Sequence, residues 1–388
     1  MISRYYSFLK AAASNVLRYG GRSMVVILCL LAILFPFITA IAISEGVKSQ
    51  ALVSVDEAAD IYVTLDQYGQ NAAIPAKFAE EIRHISGVVK AVPRVVGRTY
   101  FVDKLVVVVG ISPENIPASV RCVEGSLFKE REDVIIGAGL AEYFKLGIGE
   151  RFSLELNPQK LFKVVGLFDA QASIWSSNLL FMSFEDANEL FRMEGMATDI
   201  LVYTRPGYEE SVSEVLIAKQ ESDEEAPLFR IQTKKLVRQY FLRGYNLKEG
   251  IFTALYIIAF ALGIPAFLVA SGFGLTERRR EIGVLKATGW QTQEVLNMVF
   301  FENILISLAS ASLAIIVAYL WLKVFNGVFI AQIFIAEIGL FPKFSVPARF
   351  LPLPALLSFL LALVLTMVGS IYSTWRTAII PPAQAMRG

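Results

Sequence analysis

The chain alternates between long apolar runs and one long stretch of mixed polar and apolar residues. The first run, 24–43, is followed by mixed sequence over 44–245, and three further runs lie at 251–272, 295–322 and 351–372. About 20 apolar residues are enough for a helix to cross a bilayer. The pattern therefore predicts four transmembrane helices, with a large domain between the first and the second.

Basic residues near the ends of these runs predict the orientation. Arg278, Arg279 and Arg280 stand together between the second and third runs, and Arg376 and Arg387 follow the fourth. Basic residues beside membrane spans favour the cytoplasmic side. Both termini are therefore predicted to be cytoplasmic and the large domain extracytoplasmic.

The first 23 residues are basic and aromatic, which predicts an amphipathic helix on the inner membrane surface. Ala40, Ile41 and Ala42 are similar to a signal-peptidase site. The apolar run before them is longer than the roughly 7–15 residues of a signal peptide, so we interpret it as a retained anchor.

The mixed stretch contains short strands and short helices in turn, which favours an α+β domain. The predicted strands are Ile61–Leu65, Leu105–Ile111, Lys163–Phe168 and Ile200–Tyr203, and the predicted helices are Ala76–Ile85, Gly137–Phe144, Phe184–Phe191, Glu209–Lys219 and Lys234–Tyr245.

Composition agrees with a membrane protein that has a substantial soluble part. The 388 residues are 55% hydrophobic and carry a formal net charge of +1, which gives no support for nucleic-acid binding. His84 and Cys122 alone are too few for a zinc site, and no metal site is predicted. The chain has no G-x-x-x-x-G-K-[ST], G-x-S-x-G or H-E-x-x-H motif, so it is predicted to be no enzyme and to have no catalytic residue.

Glu302, beside Asn303, is an acid within the third run. Such a residue is a candidate for proton or substrate contact. It lies about two turns from the predicted cytoplasmic edge, where pairing with an arginine costs little, and we favour that structural interpretation. Small residues of the third and fourth runs are predicted to serve helix packing: Ser307, Ala309, Ser310, Ala311, Ser312, Gly369 and Ser370.

The segment Gly274–Trp290, GLTERRREIGVLKATGW, is predicted to be a short amphipathic helix. Thr276 suits its N-cap and Gly289 its C-terminal stop. Ile282 and Leu285 share one face, which is suited to docking into a groove on another protein. The alternative is a basic turn that only fixes topology.

The order E-R-R-R-E-I-G-V-L-K-A-T-G at Glu277–Gly289 resembles the cytoplasmic coupling segment of the MacB/FtsX-type ABC transporter permeases. The span layout is similar to theirs, and the stretch Glu124–Gly166 resembles their periplasmic core domain. The tail 381–387 resembles their closing motif, with Met386 in place of leucine. The resemblance implies an α-helical membrane protein with four transmembrane helices plus a large α+β extracytoplasmic domain, multi-pass in the bacterial inner membrane.

These features together divide the chain into nine predicted segments. They are a cytoplasmic lead-in at 1–23, transmembrane helix 1 at 24–43, the periplasmic α+β domain at 44–245, a stalk and transmembrane helix 2 at 246–273, the coupling segment at 274–292, transmembrane helix 3 at 293–323, a periplasmic loop at 324–350, transmembrane helix 4 at 351–375 and a cytoplasmic tail at 376–388.

The resemblance also implies a function. A separate P-loop ABC ATPase would bind ATP and magnesium, and this chain would bind no cofactor. The chain would couple ATP hydrolysis to movement of its periplasmic domain, driving export or extraction of a substrate. Further implied partners are a second permease chain, membrane lipid, a periplasmic adaptor and an outer-membrane channel. The residues implied to couple to the ATPase are Glu277, Arg278, Arg279, Arg280, Glu281, Ile282, Gly283, Leu285, Lys286, Ala287 and Gly289.

Two other functions stay open at this point. One is an FtsX-like signal transmitter that activates a cell-wall hydrolase without transport. The other is a membrane-anchored sensor or adhesion module that has no ATPase partner.

Overall fold

The computed structural model describes residues 2–170, 178–221, 228–245, 250, 253, 257, 261, 275–331 and 346–379. The chain forms two compact units. The helical unit comprises Met1–Gly46, Leu247–Ile335 and Ala348–Gly388, and the α/β unit comprises Val47–Asn246 and Ala336–Pro347.

The helices are α1 Ile2–Arg18, α2 Gly20–Asp56, α3 Phe78–Arg83, α4 Ala138–Phe144, α5 Phe184–Leu190, α6 Glu209–Glu221, α7 over 234–245, α8 Leu275–Ala287, α9 Thr292–Phe325 and α10 Pro352–Ile379. The strands are β1 Ile61–Gln67, β2 Gln70–Ala72, β3 Ile74–Pro75, β4 Val88–Phe101, β5 Lys104–Gly110, β6 Val120–Gly125, β7 Asp133–Gly137, β8 Arg151–Leu154, β9 Asn157–Ala170, β10 Leu179–Met182, β11 Met196–Ala197, β12 Asp199–Thr204 and β13 Phe229–Thr233.

The helical unit is built on packing among α2, α9 and α10. Within the described residues, α2 and α9 are long and apolar enough to cross a membrane, and Pro352–Val368 of α10 is a shorter apolar stretch. The second predicted span, 251–272, lies outside the described residues except at 253, 257 and 261. The shared core joins α2, α9 and α10 through Leu30, Leu34, Ile38, Ile306, Ala311, Ala314, Ala318, Ala362 and Leu365.

Small and polar side chains hold α9 against α10, much as the sequence predicts. Ser307 and Thr366 share a hydrogen bond of 3.1 Å between their hydroxyls, and the Asn303 amide donates to Ser370 Oγ at 2.6 Å. Such bonds are valuable where water is excluded. Ser307, Ser310 and Ala311 are buried as expected. Ala309 and Ser312 are exposed, because they lie on the opposite side of α9.

The α/β unit contains a large mixed sheet with the strand order β13-β1-β12-β4-β5-β10-β7-β9-β6, in which β2 also pairs with β1 and β8 with β9. Strands β3 and β11 form a separate two-stranded sheet. The pairs β5–β10 and β7–β9 are parallel, and the others on this path are antiparallel. Together with α3 to α6, this sheet confirms the predicted mixture of strands and helices.

Strand β4 joins the two halves of the sheet. Val88–Arg94 pairs with β12, and Val95–Phe101 pairs with β5. Its 14 residues were not predicted as a strand, because Pro93 and Gly97 interrupt the pattern VVKAVPRVVGRTYF. The structure keeps both residues inside the strand.

Each face of the sheet carries its own core, since successive side chains of a strand point to opposite faces. In β12, Ile200 and Val202 join the core that α3 and α6 cover, whereas Leu201 joins the core on the other face. That second core contains Phe128, Ile135, Phe168 and Phe181.

Glycines in this unit serve two different purposes. Gly125 and Gly149 have φ of +80° and +90°, as expected for turns. Gly166, in contrast, lies within β9. A Cβ atom at Gly166 would come within 2.5 Å of the Ser126 carbonyl oxygen, so this glycine permits close approach of two backbones.

The helix predicted at Lys234–Tyr245 is confirmed, and it is tied to the end of α2 by charge. Arg238 pairs with Asp56 at 3.2 Å, and Lys48 lies 5.4 Å from the centre of the Tyr245 ring. The predicted continuation of α7 through the membrane to the segment at 274 lies outside the described residues.

The buried carboxylate of Asp186 connects α5, strand β9 and the turn before β7. Asp186 is inaccessible to solvent, accepts a hydrogen bond from Lys160 Nζ at 2.9 Å, and accepts others from Ser183 Oγ and the Glu132 N–H at 2.8 Å. Burial acts to raise the pKa of Asp186, but the bonds from Glu132, Lys160 and Ser183 outweigh it and lower the pKa. The ionised form therefore stabilises the fold.

We predict that Asp186→Asn lowers the free energy of unfolding by about 2–4 kcal/mol at pH 7, because Lys160 then lacks its buried counter-charge. Since the folded pKa of Asp186 is lowered, its contribution is complete above pH about 4 and is lost as pH falls through the folded value. Urea midpoints, measured by pulse proteolysis of the full chain in detergent, should show the difference at pH 7 and a smaller one at low pH.

Glu189→Gln is the matched control, because Glu189 contacts the same Lys160 nitrogen but its side chain is 51% exposed. It should change the midpoint little. Equal midpoint shifts in the two variants would contradict the importance of Asp186.

Candidate functional site

The segment that the sequence singles out forms helix α8, and its C-terminal stop is at Gly289 as predicted. Gly289 has φ of +97°; its N–H donates to the Lys286 carbonyl and the Trp290 N–H donates to the Leu285 carbonyl, each at 3.1 Å. This is the Schellman arrangement. The prediction that Thr276 is the N-cap is wrong, because Leu275 before it is already helical.

Helix α9 starts almost immediately after this stop. The Gln291 N–H donates to the Glu294 carboxylate at 2.9 Å, which satisfies an amide at the start of α9. The link between the two helices is therefore short and fixed by hydrogen bonds at both ends.

One side of α8 is buried within the chain itself. Ile282 has no exposed surface and packs with Val295 of α9, and Leu285 and Trp290 border the same cluster. The sequence suggested that this apolar face docks on another protein. In the structure, Ile282 packs against Val295 of the same chain.

The lead-in helix α1 completes this packing. Ala12 of α1 is buried against Met298 and Val299 of α9, and Phe8 lies 6.0 Å from Trp290 between ring centres. The lead-in is helical, as predicted. Its apolar side packs against α9.

The other side of α8 faces outward. Arg280, Val284 and Ala287 are exposed, at the spacing of one helical face, and Val284 keeps 49% of its surface. Gly283 is buried, Lys286 is half-buried and Gly289 is exposed. Glu277, Arg278 and Arg279 belong to α8, but their side chains lie outside the described part of the chain.

Four polar residues meet where α1, α2, α8 and α9 come together; we call Asn15, Arg22, Glu281 and Glu302 the Arg22 cluster. Arg22 pairs with Glu302 at 2.5 Å, and its other terminal nitrogen lies 3.9 Å from Glu281. The Asn15 amide donates to Glu281. The pairing of Glu302 with an arginine, which the sequence favoured, is confirmed.

Arg22 and Asn15 were missed as functional candidates. They stand 280 and 266 residues before their partners, and in sequence Arg22 is one of several basic residues before the first apolar run. An acid inside the third run required a cation nearby, but periodicity does not say which one.

The described residues contain no group of three or more His, Cys, Asp and Glu side chains placed to hold a metal ion. Helix α8 is thus a short helix with one side packed within the chain and one side accessible.

Two protein-family models match the chain. Residues 23–218 match the MacB-like periplasmic core domain, and residues 253–382 match the FtsX-like permease C-terminal domain. No curated protein matches the chain.

Two solved structures are similar to part of the chain. The periplasmic region of MacB from Actinobacillus actinomycetemcomitans is 13% identical, with a TM-score of 0.38, over 49% of this chain and 96% of its own. The extracellular domain of the ABC-type transporter YknZ from Gram-positive bacteria is 13% identical, with a TM-score of 0.35, over 45% of this chain and 99% of its own.

The core-domain match alone spans half of the chain, and the permease match covers most of the rest. The chain therefore belongs to the MacB/FtsX-type permeases, the membrane subunits of ABC transporters in the bacterial inner membrane.

Proposed function

We propose that this permease couples ATP hydrolysis by a separate ABC ATPase to movement of its periplasmic domain, and so drives export or extraction of a substrate. The observation that carries this proposal is that one side of α8 is packed within the chain while the other side is accessible. Ile282 and Leu285 anchor the helix to α9, while Arg280, Val284 and Ala287 are left accessible. A force applied to the accessible side would therefore move α9 with it.

The roles of the predicted coupling residues differ in this proposal. Arg280, Val284 and Ala287 would contact the ATPase directly, with Glu277, Arg278, Arg279, Lys286 and Gly289 around them. Ile282, Gly283 and Leu285 would hold α8 in place from the buried side, and Glu281 would do so through the Arg22 cluster.

The membrane layout proposed is four spans, with both termini in the cytoplasm and the nine segments bounded as in the sequence analysis. The two long apolar helices α2 and α9 support two of the spans, and the apolar stretch Pro352–Val368 supports another. The ion pair between Asp56 and Arg238 brings the end of α2 beside α7, as a two-helix stalk outside the membrane would require.

Family membership implies an ABC ATPase as partner. We propose that ATP and magnesium bind to that ATPase and none to this chain, and that a second permease chain pairs with this one in membrane lipid. A periplasmic adaptor and an outer-membrane channel would complete an export route. The alternative is an FtsX-like transmitter of a signal to a cell-wall hydrolase, for which the α/β unit and its MacB-like match offer less support.

Substitution of Val284 by Asp tests the accessible side of α8. We predict at least a tenfold loss of ATPase affinity, because a charge at a packed contact costs about 1.4 kcal/mol or more. The full chain is purified from native membranes, the accompanying ATPase is identified by mass spectrometry, and its amount is measured for each variant.

Val215→Asp is the matched control, since Val215 of α6 is 48% exposed, close to the 49% of Val284. It should leave the ATPase bound. Glu281→Lys and Gly283→Trp are less selective, because both residues are buried within the chain. If Val284→Asp retains the ATPase as well as wild type does, α8 is not the contact.

Thiol labelling tests the membrane layout. Cys122 is naturally exposed, and Ala287→Cys adds a thiol on the accessible side of α8, in a chain where Cys29 is changed to Ser. An impermeant maleimide should label Cys122 in intact spheroplasts and position 287 only after lysis. Labelling of both positions in intact spheroplasts would rule out the proposed layout.

A further inference from the structure

Among the described residues of the helical unit, the Arg22 cluster brings together buried ionisable groups that the proposed ATPase contact would not use. The side chains of Glu302, Glu281 and Arg22 are 3%, 8% and 18% exposed. Ionised groups are costly to bury unless opposite charges and hydrogen bonds compensate them. Their meeting at one point therefore reflects a specific arrangement of the helices that carry them.

Arg22 donates a hydrogen bond to Glu302 and lies within ion-pair distance of Glu281. One terminal nitrogen is 2.5 Å from Glu302 Oε1, and the other is 3.9 Å from Glu281 Oε2. A guanidinium group can face two carboxylates at once because its nitrogens form a rigid planar fork, whereas a lysine ammonium is a single point charge. Arg22 is thus suited to join Glu281 of α8 to Glu302 of α9.

The Arg22 cluster determines the rotation of α8 more closely than the apolar packing of Ile282 does. Contacts such as that between Ile282 and Val295 are not directional, so they specify the rotation of a short helix less tightly than hydrogen bonds and ion pairs do. Glu281 accepts a hydrogen bond from Asn15 and forms an ion pair with Arg22, so both contacts are made on one side of α8. These contacts fix how far α8 is rotated, and so which residues face outward.

We propose that Arg22 is a positioning residue for α8, and that Glu302 is the fixed counter-charge of Arg22 and not a site for a proton or substrate. Arg22 sets which face of α8 is accessible and links that helix to the start of α2. The consequence for ATPase coupling rests on the proposed function, but the positioning does not.

Hydrogen exchange of the full chain in nanodiscs, without any ATPase, tests the positioning. We expect Arg22→Met to speed the exchange of α8 amides at least tenfold, because Glu281 loses the opposite charge of Arg22. Arg22→Lys should restore part of the protection. Arg18→Met is the matched control, since Arg18 lies exposed one turn earlier, and it should leave α8 unchanged.

Glu281→Gln covers the case in which Arg22→Met fails to fold, because it leaves the Arg22–Glu302 pair intact. It should loosen α8 and spare α9. Exchange of α8 within twofold of wild type in both Arg22→Met and Glu281→Gln overturns the proposal.

The exchange experiment and the ATPase-binding experiment test the positioning by Arg22 and the proposed function independently. Faster α8 exchange in Arg22→Met supports positioning whether or not an ATPase is bound. If α8 loosens in this way while ATPase binding survives Val284→Asp, positioning by Arg22 stands and the proposed ATPase contact fails.

Glu302→Gln tests the role of Glu302 directly. If Glu302 is a fixed counter-charge, a neutral hydrogen-bonding group in its place should give α8 exchange between that of wild type and that of Arg22→Met, because Arg22 keeps a hydrogen bond but loses the opposite charge. Full protection of α8 in Glu302→Gln would overturn this part of the proposal.

Discussion

Two buried carboxylates, those of Glu281 and Glu302, constrain how the helical unit can be assembled. Each needs a cation, and Arg22 faces both. Because the charge of an isolated acid is costly to bury, α2, α8 and α9 must meet near this point. The apolar contacts of Ile282 and Leu285 then seal α8 against α9, and the remaining surface of α8 is determined by what these contacts leave uncovered.

This arrangement gives a physical basis for work done on one helix to reach others. A short helix that touched its neighbours only through an interhelical turn would give way under load. Helix α8 is held by a buried side chain, by a capped turn at Gly289 and by a charged cluster. Its neighbours α1, α2 and α9 would therefore follow its displacement instead of absorbing it.

Features that depend on neighbouring residues in sequence could be predicted from the sequence. The Gly289 stop, the helical spacing of α8 and the alternation in β1 and β12 depend on residues close together in sequence, and each was found. What covers Ile282 could not be found in this way, because Val295 and the lead-in helix are tertiary partners. The same applies to Arg22, because Glu302, to which it donates a hydrogen bond, is 280 residues away. Strand β4 was missed because Pro93 and Gly97 weaken its local pattern.

The shared strand β4 has a consequence for the elasticity of the periplasmic core domain. Fourteen residues of one continuous backbone serve both halves of the sheet, so the halves cannot part along a loop. Separation would require breaking a hydrogen-bonded ladder on one side of β4 or the other. A displacement of one half of the sheet would therefore be passed to the other half through the hydrogen bonds that β4 makes with β12 and β5.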